Sequence, residues 1–139
     1  MRGRFAFVVP ILVGFVVLTG CGSNSGAKSG SGTTAATINP AQYVDKTSSR
    51  TVTIAARDDF FTPQFTKIRK GTTVVFENDG RNDHNVVSAD DTFTNIGTDA
   101  FSQGRQAKVV FDKPGTHNFY CSLHGTPTNG MYGSLLVVP

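Results

Sequence analysis

Three side chains near the C-terminal end of this 139-residue chain could together bind a soft metal ion. Cys121 and His124 lie three positions apart and Met131 follows, so that a thiolate, an imidazole and a thioether fall within eleven residues. Sulfur ligands beside imidazole are the donors that copper selects, and a blue-copper site needs two imidazoles, one thiolate and a weak axial thioether. The spacing therefore predicts a copper site that still lacks one imidazole.

His84 is the candidate for the missing imidazole, because it opens a short apolar run, Asn85-Val86-Val87, directly after a turn sequence. Considered alone, it would be interpreted as a solvated histidine of that turn. Together with Cys121 and His124 the ligand interpretation is favoured. The remaining histidine, His117, stands four residues before Cys121, about 13 Å away along an extended strand, and is interpreted as structural.

Strands must bring these candidates together. Short runs rich in Val, Thr, Ile and Phe recur between turn clusters, without a sustained helical period. They predict strands at 51–56, 64–69, 72–78, 85–88, 106–111, 115–121 and 134–138, and leave 89–105 as the least regular stretch, a loop or a short helix. The predicted fold is an all-β, antiparallel Greek-key β-sandwich of about seven to eight strands. Side-chain alternation places Phe119 and Cys121 on one face of their strand.

The N-terminal part has the pattern of a bacterial lipoprotein. Basic residues at positions 2 and 4 precede an apolar run at 5–18, which is too short to span a bilayer and predicts a signal peptide over residues 1–20. Leu18-Thr19-Gly20-Cys21 resembles a lipobox, so that Cys21 is the expected lipid attachment site. The alternatives are an ordinary signal peptide with an incidental cysteine, or a Cys21–Cys121 disulfide. Residues 21–49 are predicted to be a flexible Gly/Ser/Thr-rich tether and residues 50–139 the folded domain. Within the tether, the slightly more apolar Ile38 to Val44 either docks on the domain or stays loose.

Composition argues against several function classes. Removal of residues 1–20 takes away two arginines, so that a net charge of +3 becomes +1, and no basic stripe interleaved with aromatics suggests nucleic-acid binding. The chain has no GxSxG, HExxH or phosphate-binding glycine loop, and the acidic pairs at 58–59 and 90–91 are interpreted as turn and loop residues. The sequence therefore predicts a binding or carrier protein rather than an enzyme.

Several of these features resemble the cupredoxins, and the plastocyanin and amicyanin branch is the most similar. The resemblance covers nearly all of residues 51–139 and is carried by Phe61-x-Pro63, Val74-Val75-Phe76-x-Asn78, His84-Asn85-Val86, Pro114-Gly115-Thr116-x-x-Phe119-Tyr120-Cys121-x-x-His124 and Met131-x-Gly133. It implies one copper ion held by His84, Cys121, His124 and, axially, Met131. It also implies that Asn85 fixes the 121–124 segment by hydrogen bonding.

The function implied by the resemblance is one-electron transfer between protein redox partners outside the cytoplasm, on the periplasmic side or at the cell surface. The domain is expected to be a monomer that is anchored to the membrane through Cys21. Docking is expected at an apolar rim of Leu123, Pro127, Met131 and Tyr132, where an edge of His124 carries the electron. A copper-binding protein for delivery or storage is the alternative; a catalytic copper site would need further histidines.

One departure from the family pattern concerns Met131. Six residues, Gly125 to Gly130, separate it from His124, which is a longer gap than in plastocyanins or amicyanins. Glycine at both ends of this segment allows the sharp turns that would return Met131 to the site. The alternative is a core methionine that opens the last strand.

Overall fold

The structure, a computed structural model, describes residues 38–139. Within them nine strands form two sheets. The strands are β1 (Val44–Asp45), β2 (Thr51–Ala56), β3 (Phe61–Thr62), β4 (Phe65–Arg69), β5 (Thr72–Asn78), β6 (Val87–Ser88), β7 (Gln106–Phe111), β8 (Gly115–Thr126) and β9 (Asn129–Val138). One sheet has the order β1-β4-β9-β8-β6 and the other β3-β2-β5-β7.

The predicted β-sandwich is confirmed, but its sheets are mixed rather than antiparallel. β2 pairs with β5, β4 with β9, and β1 with β4 in parallel registers, whereas β5–β7 and β8–β9 are antiparallel. The cause lies in the connections: between β2 and β5 the chain crosses into the other sheet as β4 and returns. Side-chain alternation identifies a strand, but it does not fix the direction of the neighbour with which that strand pairs.

Aromatic rings hold the two sheets together. The ring of Phe119, on β8, meets Phe61 of β3 and Phe76 of β5 edge-on, with centroids 5.0 and 5.3 Å apart. All three side chains are buried, in one cluster with Ile54 and Leu135. Such edge-to-face contacts contribute about 0.5–1.5 kcal/mol each beyond the burial of their area. Cys121 continues the inward face of β8 from Phe119 and is therefore held by a rigid core.

The folded domain begins before residue 50, where the sequence analysis placed the end of the tether. β1 pairs with β4, and the hydroxyl of Tyr43 lies 3.0 Å from that of the fully buried Ser134. The ring of Tyr43 also packs 5.9 Å from the ring of Phe65. The 38–45 segment is thus part of the edge of the sandwich. The ring of Tyr43 and the two paired residues of β1 attach it to the domain, although its composition is polar. The predicted signal peptide, Cys21 and the tether up to residue 37 lie outside the described residues.

The irregular stretch that the sequence predicts at 89–105 contains one short 3₁₀ helix, Thr98–Ala100, and an isolated bridge between Val86 and Ile96. Among residues 38–139, no helix has the length and the apolar character that a membrane crossing requires.

Candidate metal centre

The β8–β9 hairpin carries three of the four predicted ligands, and an irregularity in its pairing brings them together. Tyr120 pairs with Tyr132 and Gly125 with Gly130, so that the four residues 121–124 of β8 face only Met131 of β9. This is a large β-bulge, which breaks the strict alternation of side chains and re-aims them. Both Cys121 and His124 can therefore point to the same side of the hairpin.

Two glycines allow the close approach of the strands at this bulge. A Cβ atom on Gly125 would lie 2.5 Å from the backbone nitrogen of Met131, and one on Gly130 would lie 2.5 Å from the carbonyl oxygen of His124. Gly130 also has a φ of 71°, which side chains strongly disfavour. The long His124–Met131 segment thus becomes the tip of a hairpin rather than an open loop, and Met131 returns to lie opposite Cys121 and His124.

His84 reaches the same place from the other sheet. The 79–83 loop follows β5 and leads directly into this histidine, which is fully buried. Its Nδ1 atom lies 3.7 Å from Cys121 Sγ and 3.2 Å from His124 Nδ1. Cys121 Sγ lies 3.5 Å from the same His124 atom. The structure therefore brings together three of the predicted ligands, each through the atom that can bind a metal.

The triangle formed by these three atoms has the size of a metal site. A point equally distant from all three atoms lies about 2.0 Å from each. Zinc, which like copper is a first-row metal, forms bonds of ~2.0–2.1 Å to nitrogen and ~2.3 Å to sulfur, so the distances are similar. With neutral imidazoles and an ionised thiol, three lone pairs converge on this point. A cation would satisfy all three at once, whereas a proton could serve only two. The residues present therefore fit a bound metal ion.

The electrostatic environment favours the form of His84 that can bind a metal. Burial lowers the pKa of His84 below its ordinary value of 6.5, and the nearby imidazole of His124 lowers it further. The carboxylates of Asp58, Asp59 and Asp83 oppose this decrease. A lowered pKa keeps the ring neutral, so that Nδ1 retains its lone pair when the proton is on Nε2.

Asn85 makes the contacts expected of a residue that fixes the ligand segment. Its side-chain amide donates to Ser122 Oγ at 2.8 Å, and its side-chain oxygen accepts from the backbone N–H of Ser122 at 2.8 Å. Both bonds join the His84 segment to the residue that follows Cys121. Outer-sphere hydrogen bonds of this kind orient metal ligands.

Met131 is fully buried and belongs to the same apolar cluster as Cys121. Its place opposite the bulge suits an axial thioether. Burial also corrects the expected docking rim, because a fully buried Met131 cannot contribute to a surface. Leu123 is exposed over 53% of its area, while Pro127, Tyr132 and His124 are partly exposed.

His117 lies outside the ligand cluster, as the strand spacing predicts. It is buried, its Nε2 atom lies 2.8 Å from the carbonyl oxygen of Lys113, and its ring meets Phe111 edge-on. These contacts give it a structural role at the base of β8.

Two residues beside His84 were missed by the sequence analysis. Gly80 lies so close to this histidine that a Cβ would fall 2.8 Å from its Nε2 atom, and Asp58 Oδ1 would lie 3.0 Å from the same Cβ. In the sequence both residues are typical of turns. They belong to the pairs Asp58-Asp59 and Asp79-Gly80, and neither pair has the spacing of metal ligands.

The model of the plastocyanin/azurin family of copper-binding proteins matches residues 49–138. The chain belongs to this family. The predicted cupredoxin resemblance is confirmed, and membership of a copper-binding family, together with the donor set described above, assigns one copper ion as the cofactor.

Solved structures agree on the fold. A purple cupredoxin from Nitrosopumilus maritimus is 26% identical, with a TM-score of 0.53 over 63% of this chain and 99% of that one. A fern plastocyanin is 21% identical, with a TM-score of 0.51 over 62% and 99% of the two chains. An amicyanin variant is 18% identical, with a TM-score of 0.54 over 63% and 82%. The last two likenesses concern the fold alone.

Proposed function

We propose that this chain is a type 1 copper protein that carries single electrons between protein redox partners outside the cytoplasm. The observation that carries the proposal is the convergence of Cys121 Sγ, His84 Nδ1 and His124 Nδ1 within 3.2–3.7 Å of one another. A thiolate with two imidazoles and a thioether nearby is the ligand set of electron-transfer copper sites. Copper bound there would supply the one-electron couple.

The protein's own contribution is to keep the ligands in place in both oxidation states. Cys121 extends from a core strand, and the buried His84 lies in the connection between β5 and β6, whose residue Val87 pairs with Tyr120 of β8. Asn85 ties the two ligand segments together through Ser122. Burial of Cys121, His84 and Met131 excludes water. A site that changes little between two charge states needs little reorganisation, which favours rapid electron transfer.

The docking surface of this proposal is the rim around His124. Leu123 is one of the four large apolar side chains exposed in the described residues, and it lies next to this half-buried histidine. Pro127 and Tyr132 continue the rim on the hairpin. A partner that covers an apolar rim would bring its own redox centre close to the imidazole edge of His124. This rim is the part of the site through which we expect electrons to enter and leave.

The proposed location is extracytoplasmic, with lipid on Cys21 as the anchor. This part of the proposal comes from the signal-peptide and lipobox patterns at residues 1–21. Two acyl chains on one cysteine are sufficient for stable anchoring. An anchored carrier would meet membrane-bound donors and acceptors without being lost by diffusion.

The proposal is tested by adding Cu(II) to the purified protein and recording its visible absorption. An intense thiolate-to-copper charge-transfer band should appear at one copper per chain and be absent in Cys121→Ser. Cys21→Ser is the matched control, because it removes the other cysteine and should leave the band intact. A colourless copper complex of the native protein would rule out the type 1 site.

Delivery or storage of copper is the alternative function. A carrier that exchanges copper needs accessible ligands, whereas Cys121 and His84 are buried here and His124 is only partly exposed. One thiolate and one thioether among the described residues also limit the capacity for copper to a single ion. Burial therefore favours electron transfer over delivery.

A further inference from the structure

The Nε2 side of the His84 ring, called its outer edge below, lies near the segment that follows β2 and the loop that follows β5. Its Nε2 atom is buried, and no residue within 38–139 gives it a hydrogen-bond partner. When Nδ1 binds a metal, Nε2 carries the proton, and a buried donor without an acceptor is destabilising. Metal-binding histidines normally have a group that orients this second nitrogen.

Gly80 is the residue against which this edge packs. A Cβ atom at Gly80 would lie 2.8 Å from His84 Nε2, 3.0 Å from Asp58 Oδ1 and 3.1 Å from the backbone carbon of Arg57. The φ of Gly80 is not among the positive values, so the backbone itself would accept another residue. Glycine is required here for space: a methyl group would have to displace either the imidazole or the Arg57–Asp58 segment that follows β2.

Ion pairs and hydrogen bonds hold this arrangement from both sides. Arg81 donates to Asp58 Oδ2 through Nε and Nη2, at 3.1 and 2.9 Å, and its backbone N–H donates to Asp58 Oδ1 at 2.6 Å. Arg57 and Asp79 form a second pair between the same two segments, at 2.7 Å.

Hydrogen bonds of Asn78 hold the loop from the inside. Asn78, which is fully buried, accepts from the backbone N–H of Gly80 and donates to the carbonyl of Asn82.

The same contacts bring a negative charge close to the metal ligand. Since both Asp58 Oδ1 and His84 Nε2 lie beside the empty Cβ position of Gly80, they are no more than about 6 Å apart, a distance at which a charge acts on its neighbour. The guanidinium of Arg81 partly offsets this carboxylate. The electrostatic potential at the outer edge of His84 therefore depends on both charges.

We propose that Gly80 and the Asp58–Arg81 pair form a cradle that positions His84 and sets the charge at its outer edge. Gly80 fixes where the ring lies, because the space that it leaves is filled by the imidazole. Asp58 stabilises the more positive, oxidised state of the site, and Arg81 limits that effect. The charge part rests on the proposed copper site, whereas the positioning part belongs to the metal-free protein as well.

The positioning part is tested in the metal-free protein by NMR of the histidine ring protons. Gly80→Ala should shift the His84 ring resonances, because the added methyl group would lie 2.8 Å from Nε2 and displace the ring. Gly97→Ala is the matched control, because Gly97 has nothing within 4 Å of its Cβ position and an ordinary φ. Unchanged His84 resonances in Gly80→Ala would overturn the positioning claim even if the protein failed to bind copper.

The charge part is tested by the reduction potentials of two folded, copper-loaded variants. Asp58→Asn should raise the potential, because it removes a negative charge and leaves Arg81 unpaired. Arg81→Gln should lower it, because the carboxylate is then uncompensated. Asp45→Asn is the control, since Asp45 forms a similar surface pair with Lys67 on the edge strand β1. A purely structural cradle would move both potentials in the same direction or neither, and that result would overturn the claim.

Discussion

At the residue scale, the site depends on three side chains whose lone pairs face one point. His84 and Cys121 are buried and His124 is half-buried, and their metal-binding atoms lie 3.2–3.7 Å from one another. In a chain of the copper-binding family, this convergence of lone pairs fits a bound copper ion.

The axial role of Met131 gives the first prediction. Met131→Leu preserves volume and burial, so the charge-transfer band should remain, since it arises from Cys121. The reduction potential should rise, because loss of the thioether removes a donor that stabilises the oxidised ion. Voltammetry of the loaded variant checks this. An unchanged potential would mean that Met131 is a core residue and not a ligand.

Protonation of His84 gives the second prediction, for the metal-free protein. Burial holds the pKa of His84 below its ordinary value of 6.5, so between that lowered pKa and pH 6.5 the unfolded chain binds the proton and the folded chain does not. The stability from this group is full above pH 6.5 and is lost as the pH falls towards the lower, folded-state pKa. Urea unfolding of native protein and His84→Gln between pH 7.5 and 5 should show a steeper loss in the native protein. Parallel losses would contradict the expected role of His84.

The sequence could predict the candidate ligands that the structure brings together, but it could not predict Gly80 or Asp58. Cys121, His124 and His84 are visible because soft sulfur and imidazole donors at short spacing are typical of a metal site, and Asn85 is visible because it follows a ligand. Gly80 leaves room for the His84 ring because it has no Cβ atom, and the charge of Asp58 acts on that ring from a separate loop. Neither effect leaves a pattern in a single sequence.

At the element scale, the β8–β9 hairpin is the device that forms most of the site. Four residues on β8 face one on β9, and the glycines at 125 and 130 allow the strands to touch at the end of the bulge. The six-residue gap between His124 and Met131 is accommodated because both strands extend beyond their predicted ends. β8 continues to Thr126 instead of residue 121, and β9 begins at Asn129 instead of residue 134.

The hairpin gives the third prediction, which compares two glycines of similar backbone conformation. Gly130 and Gly104 have φ values of 71° and 75°, but only Gly130 has neighbours at its Cβ position. Alanine at either position should cost about 1–2 kcal/mol of stability for the left-handed backbone. Only Gly130→Ala should also change the charge-transfer band and the copper EPR spectrum, because its methyl group would push against His124. Equal behaviour of the two variants would contradict the close-approach argument.

Strand positions followed from alternation in most of the domain, but strand directions did not. The predicted strands at 51–56, 72–78 and 106–111 coincide with β2, β5 and β7. Their pairing depends on which sheet each connection enters, and this is decided by packing far away in the sequence. The edge strand β1 was hidden for a related reason, because its stability comes from Tyr43 packing on Phe65 rather than from its own composition.

At the scale of the whole molecule, we expect an anchored carrier with a rigid copper domain. The fourth prediction concerns the anchor. Native protein expressed with its N-terminal segment in a bacterial host should fractionate with membranes, because Cys21 would be acylated, whereas Cys21→Ser should be released. Immunoblots of the two fractions check this. Equal membrane association of both proteins would contradict lipid attachment at this cysteine.

Reversible one-electron transfer at a copper ion that stays bound is tested most sharply by redox cycling of the loaded protein with a Cu(I) chelator present. We expect one electron per chain, full recovery of the charge-transfer band after each cycle, and no copper transferred to the chelator. Loss of copper to the chelator upon reduction would contradict electron transfer and support the delivery function instead.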